Sequence, residues 1–210
     1  MSPPPPNPRH IYKVISKSEI ARTKWLRLVS LEYSTRHGKV HKWDAVERAH
    51  NGEAASSKEV VVISALIRSA HSPLSTLLVK QWRPPVGQYT IEFPAGLIDP
   101  GESIEEAALR ELKEETGYVP ERVLSISSPL PLSPGLTDEC ARLVTVEVEE
   151  ANNLDPKQSL DPMEDIEIIK VPIAELGDRL KELSDDGCLV FSGVHAVAHG
   201  LGLADKIRKW

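Results

Sequence analysis

The chain has 210 residues, 40% of them hydrophobic, and its 25 Lys plus Arg against 31 Asp plus Glu leave a formal charge of −6. That composition supports one sizeable core and excludes a disordered or fibrous chain, and no apolar run approaches the ~18 residues of a membrane-spanning helix. A net acidic chain has no general attraction for nucleic-acid phosphates, so neither a polynucleotide nor a membrane is an expected partner.

In chain order, residues 1–10 carry Pro3, Pro4, Pro5, Pro6 and Pro8 and read as a loose, disordered tail rather than a targeting peptide. A short strand is predicted over Ile11–Ile15. Alternation over Trp25–Tyr33, a turn at Thr35–Gly38 and a return over Val40–Val46 predict a hairpin. Residues 51–58 are small and polar and read as an exposed connection. The β-branched run Val60–Ile67, then Leu77–Trp82 and Gln88–Phe93, are central-strand candidates separated by Ser72-Pro73 and Pro84-Pro85. Over Ser103–Thr116 the period changes: Ile104, Ala108 and Leu112 recur every four residues, and Gly117 stands where a helix stops. Val123–Ile126 and Leu143–Val148 return to strand, separated by a segment with Pro129, Pro131, Pro134 and Gly135 that breaks regular structure. Residues 149–165 form a long acidic loop of a length common in lids and binding loops. A strand over Ile166–Val171 and helices over Ile173–Leu183 and Gly193–Ile207 complete the chain, with no internal repeat. Cys140 and Cys188 are too few for a disulfide framework and read as ordinary thiols of a reducing compartment.

The chemistry concentrates in one helix. Six glutamates lie between Gly101 and Gly117, with only Arg110 and Lys113 to balance them. Glu111 and Glu115 are four apart on one helical face and Glu114 flanks it, so three carboxylates are expected to converge. Such a face is either solvated surface or a site for Mg²⁺, a hard ion that takes oxygen ligands and binds substrate phosphates. In the second case the metal also offsets the repulsion between an acidic protein and an anionic diphosphate.

A longer pattern separates these readings. Gly96, Glu102, Arg110, Glu111, Leu112, Glu114, Glu115, Gly117 and Tyr118 follow the spacing Gly, five residues, Glu, seven residues, Arg-Glu-aliphatic, one residue, Glu-Glu, one residue, Gly-apolar. Seven fixed letters arise by chance at on the order of 10⁻⁸ per window at common residue frequencies. The pattern resembles the box of the Nudix hydrolases. That resemblance implies an α/β (α+β) fold: an α/β/α sandwich around a mixed β-sheet, with an N-terminal antiparallel β-segment. It implies three regions: the tail 1–10, a dimerising β-domain 11–56 and a hydrolase domain 57–210. The box Gly96, Glu102, Arg110 and Gly117 would be structural, with Arg110 orienting carboxylates. A plain helix salt bridge for Arg110 overlaps with that role.

The likeness continues through Gln81-Trp82-Arg83-Pro84-Pro85 and Ile91-Glu92-Phe93-Pro94-Ala95-Gly96-Leu97-Ile98-Asp99, which resemble the ADP-ribose and ADP-sugar pyrophosphatase branch. This implies metal ligation by the Ala95 carbonyl, Glu111, Glu114 and Glu115, with Mg²⁺ as cofactor and Mn²⁺ as its substitute. It implies substrate contacts from Trp25, Trp43, Arg48, Arg83, Glu92 and Leu97. Adenine would stack between the two tryptophans, brought together in a homodimer that exchanges its N-terminal segments. On strand pattern alone, Trp25 and Trp43 read first as hairpin core aromatics. The base or water-positioning group would be Glu164, with Glu167 as competitor and Glu114 assisting, although acidic loops are often only solvated. One departure is Ser133 before Pro134-Gly135, where relatives often carry an acid; the resemblance implies that this tract, Leu132–Glu139, lies near the terminal ribose. The resemblance implies hydrolysis of ADP-ribose or a related ADP-sugar to AMP and a sugar phosphate, in the cytoplasm and also the nucleus. Alternatives are hydrolysis of another nucleotide sugar or dinucleotide, and a catalytically silent ADP-ribose-binding protein.

Overall fold

A computed structural model describes residues 12–49 and 59–208. The predicted proline tail, the start of the predicted strand at Ile11 and the predicted connection 51–58 lie outside the described residues.

Three antiparallel strands open the chain, β1 (Lys13–Arg22), β2 (Leu26–Ser34) and β3 (Val40–Arg48), hydrogen-bonded in that order. The predicted hairpin is β2 and β3. Gly38, at φ 73°, closes its turn, and Thr35 N–H donates to the Lys39 carbonyl. β1 is longer than predicted because hydrophobic periodicity does not mark it: every residue of it is exposed. Its backbone ladder with β2, from Lys13 opposite Ser34 to Arg22 opposite Arg27, holds it instead, with two register shifts on the way. In this small sheet Val29 is buried, and so is Glu47, whose carboxylate is held by Lys17 and Arg27.

The remaining strands build one nine-stranded mixed sheet. They are β4 (Glu59–Arg68), β5 (Ser75–Arg83), β6 (Gln88–Glu92), β7 (Ala95–Leu97), β8 (Arg122–Ile126), β9 (Leu130–Pro131), β10 (Cys140–Glu149), β11 (Ile166–Pro172) and β12 (Leu189–Val190). The path runs β12-β6-β5-β4-β10-β8, with β11 on β5, β7 on β4 and β9 on β10. β10 runs parallel to β4, and β12 parallel to β6; the other pairs are antiparallel.

Helix α1 (Ile104–Thr116) covers one face of this sheet, while α2 (Leu176–Asp185) and α3 (Ser192–Ile207) cover the other. The alternation of β4 shows why both are needed. Val61, Ile63, Ala65 and Ile67 pack under Ala107, Ala108 and Leu112 of α1, while Val62 turns to the opposite core, beside Leu78, Ile91 and Phe93. There Leu176, Leu180 and Leu183 of α2 and Val194 and Ala198 of α3 close the layer. Each fully buried Ile or Leu contributes roughly 1.5–3 kcal/mol relative to exposure. The architecture is the expected α/β/α sandwich with an N-terminal antiparallel sheet. None of the described helices is long and apolar enough to cross a membrane.

Local chemistry sets the boundaries of α1. The Ser103 side chain accepts from Glu106 N–H while Glu106 accepts from Ser103 N–H, a reciprocal cap. Gly117, at φ 75°, ends the helix by donating its N–H to the Lys113 carbonyl. The predicted loop 149–165 begins one residue later, because Glu149 ends β10; it is irregular apart from one 3₁₀ turn at Glu150–Asn152, and its later part is fastened to the end of α1. Ser159 N–H donates to the Glu114 carbonyl at 2.8 Å, and Gln158 Nε2 to the Glu115 carbonyl at 2.7 Å. The proline segment holds more structure than predicted: β9 pairs with β10, and Thr137 bridges to Val46 of β3.

Candidate active site

The box residues form a loop, a short strand and a helix folded against one another. β7, which the pattern did not predict, pairs Ala95 with Val62 of β4 and brings the backbone of Gly96 against α1. The approach is so close that a Cβ on Gly96 would lie 1.9 Å from the Glu111 carboxyl carbon. Arg110 ties the unit together. Its guanidinium donates to Glu102 through Nε and Nη2 (both 2.8 Å), to the Leu97 carbonyl (2.9 Å), to Glu111 (2.7 Å) and to Glu114 (3.1 Å). Hydrogen bonding to Arg110 in turn holds the Glu102 carboxyl below its usual range.

The expected convergence of Glu111, Glu114 and Glu115 is not met in the side-chain positions. Among the described residues, no three His, Cys, Asp or Glu side chains gather around a point that could hold a metal ion. The reason is local: Nη1 of Arg110 draws Glu111 and Glu114 to itself, while Glu115 Oε2 accepts the Ala95 N–H at 3.1 Å. The electrostatics still fit a hard divalent cation. Glu115 is only 3% exposed, and burial pushes its carboxyl up to about 8, helped by the like charges of Glu111 and Glu164 and opposed by the Ala95 N–H and Arg83. Burial also raises the Glu111 carboxyl, with Glu114 and Glu164 adding to it and Arg110 opposing. Two glutamates of one helix face are therefore costly to ionise as they stand, and the groups around them are oxygen donors of the kind Mg²⁺ prefers.

Beside this helix lies a cavity of about 720 Å³. Among the described residues seven carboxylates line it, from Glu92, Asp99, Glu111, Glu114, Glu139, Asp161 and Glu164, against three arginines, Arg48, Arg83 and Arg110. Each arginine is already engaged. Arg83 grips Glu92 in a fork, Nε to Oε1 at 2.8 Å and Nη2 to Oε2 at 2.9 Å, and Arg48 Nε donates to Glu139 Oε1 at 2.8 Å. Burial would raise the Glu92 carboxyl, but its bonds from Arg83 and Thr90 outweigh that and leave it below the ordinary range. An anionic ligand entering this cavity needs added positive charge.

Of the residues singled out from sequence, Arg48, Arg83, Glu92, Ala95, Gly96, Leu97, Arg110, Glu111, Glu114 and Glu164 line the cavity. Glu115 does not line it but is within electrostatic reach of Glu111 and Glu164. Glu164 sits in a tight turn in which its carboxylate accepts from Asp161 N–H (3.0 Å) and its own N–H donates to the Asp161 carbonyl (2.9 Å). Glu167 is not among the lining residues; it pairs with Lys80 of β5 at 3.1 Å. Neither tryptophan lines the cavity. Trp25 is 65% exposed, with Lys24 Nζ 4.3 Å from its ring centre, and the Trp43 indole N–H donates to the Gly135 carbonyl at 3.1 Å. Neither is the hairpin core aromatic that strand pattern alone allowed. Leu132 and Glu139, the two ends of the tract for which the resemblance implied a place near the ligand, line the cavity, whereas Asp161 was not foreseen; it occurs in an acidic loop stretch whose composition gives no sign of which carboxylate turns inward.

Residues 58–188 match the NUDIX domain model. The chain is 39% identical to the ADP-sugar pyrophosphatase of Mus musculus over 196 residues, covering 92% of this chain and 87% of that protein. It is 36% identical to the ADP-ribose pyrophosphatase of Saccharomyces cerevisiae over 199 residues (92% and 85%), and 36% identical to the putative nudix hydrolase 2 of Caenorhabditis elegans over 195 residues (92% and 86%). A crystal structure of an ADP compounds hydrolase superposes with a TM-score of 0.59 at 20% identity, covering 81% of this chain and 83% of that one, a likeness of fold. A domain match over most of the chain, the complete glutamate box and relatives of similar length agree: the chain belongs to the Nudix domain family.

Proposed function

We propose that this protein hydrolyses the diphosphate of ADP-ribose, or of a related ADP-sugar, in a reaction that depends on Mg²⁺, with Mn²⁺ as its substitute. Water attacks one phosphorus, the P–O–P bridge breaks, and AMP and ribose 5-phosphate leave. The observation that carries this reading is the charge balance of the cavity, seven carboxylates against three arginines, next to a buried Glu115 whose ionisation is unfavourable as it stands. The names of the mouse and yeast relatives support the substrate class.

In this reading Glu111, Glu115 and the Ala95 carbonyl hold the metal with help from Glu114. The bound ions supply Lewis acidity toward the diphosphate oxygens and lower the pKa of attacking water. The chain's own residues do the rest. Arg110 orients the carboxylates through its fan of hydrogen bonds. Arg83 exchanges part of its fork with Glu92 for a phosphate oxygen, and Leu97 borders the ligand. Glu164 positions the water and takes its proton, which its place at the cavity and its like-charge coupling to Glu111 and Glu115 support.

The N-terminal β-segment, residues 11–56, serves a homodimer that exchanges this segment, with Trp25 and Trp43 stacking on adenine. Exposed Val14, Ile15, Ile20 and Val40 on that sheet support an interface there. The decisive experiment is a hydrolysis screen over nucleoside diphosphate derivatives with Mg²⁺ in ¹⁸O water, read by mass spectrometry. AMP and ribose 5-phosphate, one of them carrying the label, are expected from ADP-ribose. Tight binding of ADP-ribose with no product would show a silent binder.

A further inference from the structure

The last turn of α1 is closed by the loop that carries Glu164. The final carbonyls of a helix have no partner within it, and near the end of α1 two of them belong to Glu114 and Glu115. Gly117 N–H caps the Lys113 carbonyl, but these two glutamates are served from far along the chain. Ser159 N–H donates to the Glu114 carbonyl at 2.8 Å, and Gln158 Nε2 to the Glu115 carbonyl at 2.7 Å. The chain runs hard against the helix end here, since a Cβ on Gly117 would meet Lys157 N at 2.2 Å.

Gln158 does more than cap a carbonyl. Its amide nitrogen carries two hydrogens, and it donates also to the Ile166 carbonyl at 3.0 Å, at the first residue of β11. Ile166 pairs in turn with Gln81 of β5. One side chain thus joins the helix to both ends of residues 159–165. That segment holds the Asp161–Glu164 turn, and its Ser159, Asp161 and Glu164 line the cavity. The bonds between Asp161 and Glu164 fix the shape of the turn, but not where it stands relative to α1.

We propose that Gln158 is a positioning residue, whose paired bonds to the Glu115 and Ile166 carbonyls set the place of Glu164 relative to the carboxylates of α1. The inference rests on the hydrolase reading above, in which Glu164 takes the proton of the attacking water. Gln158 is not among the residues that line the cavity, so it acts through Glu164.

The test uses the full-length protein with Mg²⁺ and ADP-ribose and compares wild type, Q158L, Q158K, E164Q and the double variant Q158L/E164Q. Position 158 is exposed and takes either replacement. Leucine keeps bulk and removes both donors, whereas lysine keeps donors that helix-terminal carbonyls accept. Q158L is expected to lower kcat about ten- to a hundred-fold, the scale of a misplacement near 1 Å, with KM within about twofold of wild type. Q158K should recover most of that loss. In the double variant the Q158L factor should vanish, leaving the kcat of E164Q, because nothing remains to be positioned. Hydrogen exchange on the metal-free proteins gives a readout apart from turnover: residues 159–165 of Q158L should exchange faster while the central sheet keeps its protection. Wild-type kcat or wild-type exchange in Q158L, or full additivity in the double variant, overturns the positioning role and leaves the hydrolase reading intact. Ordinary kcat in E164Q overturns it together with the role of Glu164, and a wild type that forms no AMP overturns the hydrolase reading as well.

Discussion

The space around Gly96 permits a prediction in which stability and chemistry separate. In Gly96→Ala the new Cβ would lie 1.9 Å from Glu111 Cδ and 2.0 Å from its Oε1, whereas ordinary contact begins near 3.4 Å. The carboxyl must therefore recede by about 1.5 Å, the difference between those distances. What it strikes is the far end of a flexible side chain, and Gly96 has no left-handed φ, so the backbone accepts alanine. Rotating Glu111 off its present rotamer costs about 1 kcal/mol, or roughly 2–4 °C in Tm for a chain this long. The chemistry is less forgiving. Mg²⁺ accepts oxygens only near 2.0–2.1 Å, and a misplacement of about 1 Å can cost ~10² in rate. Gly96→Ala should thus melt within a few degrees of wild type, need far more Mg²⁺ for half-maximal activity and lose at least about 10² in kcat/KM. Thermal melts and kcat/KM against Mg²⁺ concentration measure both. A variant with ordinary turnover and ordinary Mg²⁺ dependence would refute the assignment of Glu111 to the metal.

The opposite pattern is expected at Gly117, where a Cβ would meet the backbone of Lys157 at 2.2 Å and of Pro156 at 2.6 Å and the residue sits at φ 75°. Gly117→Ala should cost about 3 kcal/mol or more and lower Tm by roughly 6–12 °C, seen by calorimetry. Burial of Glu115 predicts an unusual pH dependence in EDTA. With its folded carboxyl at about 8 against an ordinary 4.5, the native state keeps a proton that the unfolded chain has lost between those values, so stability falls as pH rises through that window. The loss is on the order of 4 kcal/mol, and urea midpoints at pH 5 and pH 8 should show it in wild type and much less of it in Glu115→Gln. Equal slopes in the two proteins would contradict the burial argument. Glu164→Gln should lower kcat by about 10²–10⁴ with Tm unchanged, the span of a lost general base. Glu167→Gln breaks only an ion pair with Lys80, worth ~0–1 kcal/mol, and should retain its turnover. Reversed kinetics in that pair of variants would exchange the two assignments.

Much of this molecule was legible because its signals are local. The stop at Gly117 and the four-residue apolar repeat before it define α1, and the spacing from Gly96 to Gly117 puts the box on a loop and that helix. These depend on interactions a few residues apart, which any sequence displays. The strands of the central sheet were readable for the same reason, since buried strands carry β-branched runs such as Val60–Ile67. β1 was not, because a strand exposed along its whole length has no period to detect and is specified by its partner's backbone.

Tertiary structure decided the rest of the site. That Arg110 draws Glu111 and Glu114 while Glu115 turns to the Ala95 amide follows from β7 docking beside α1, and helical spacing alone suggested instead that the three carboxylates meet. The separation of Glu164 from Glu167 follows from strand register, which pairs Glu167 with Lys80 and leaves Glu164 in the turn before the strand. Glu139 reaches Arg48 only because a proline-broken loop bridges to β3. The amino-acid sequence by itself determined which carboxylates this protein carries and on which helix. Burial, which makes Glu115 reluctant to ionise, and long-range pairing, which gives Arg48 its partner, are properties of the folded chain, because a dielectric environment and a contact between distant segments exist only once the chain has closed on itself.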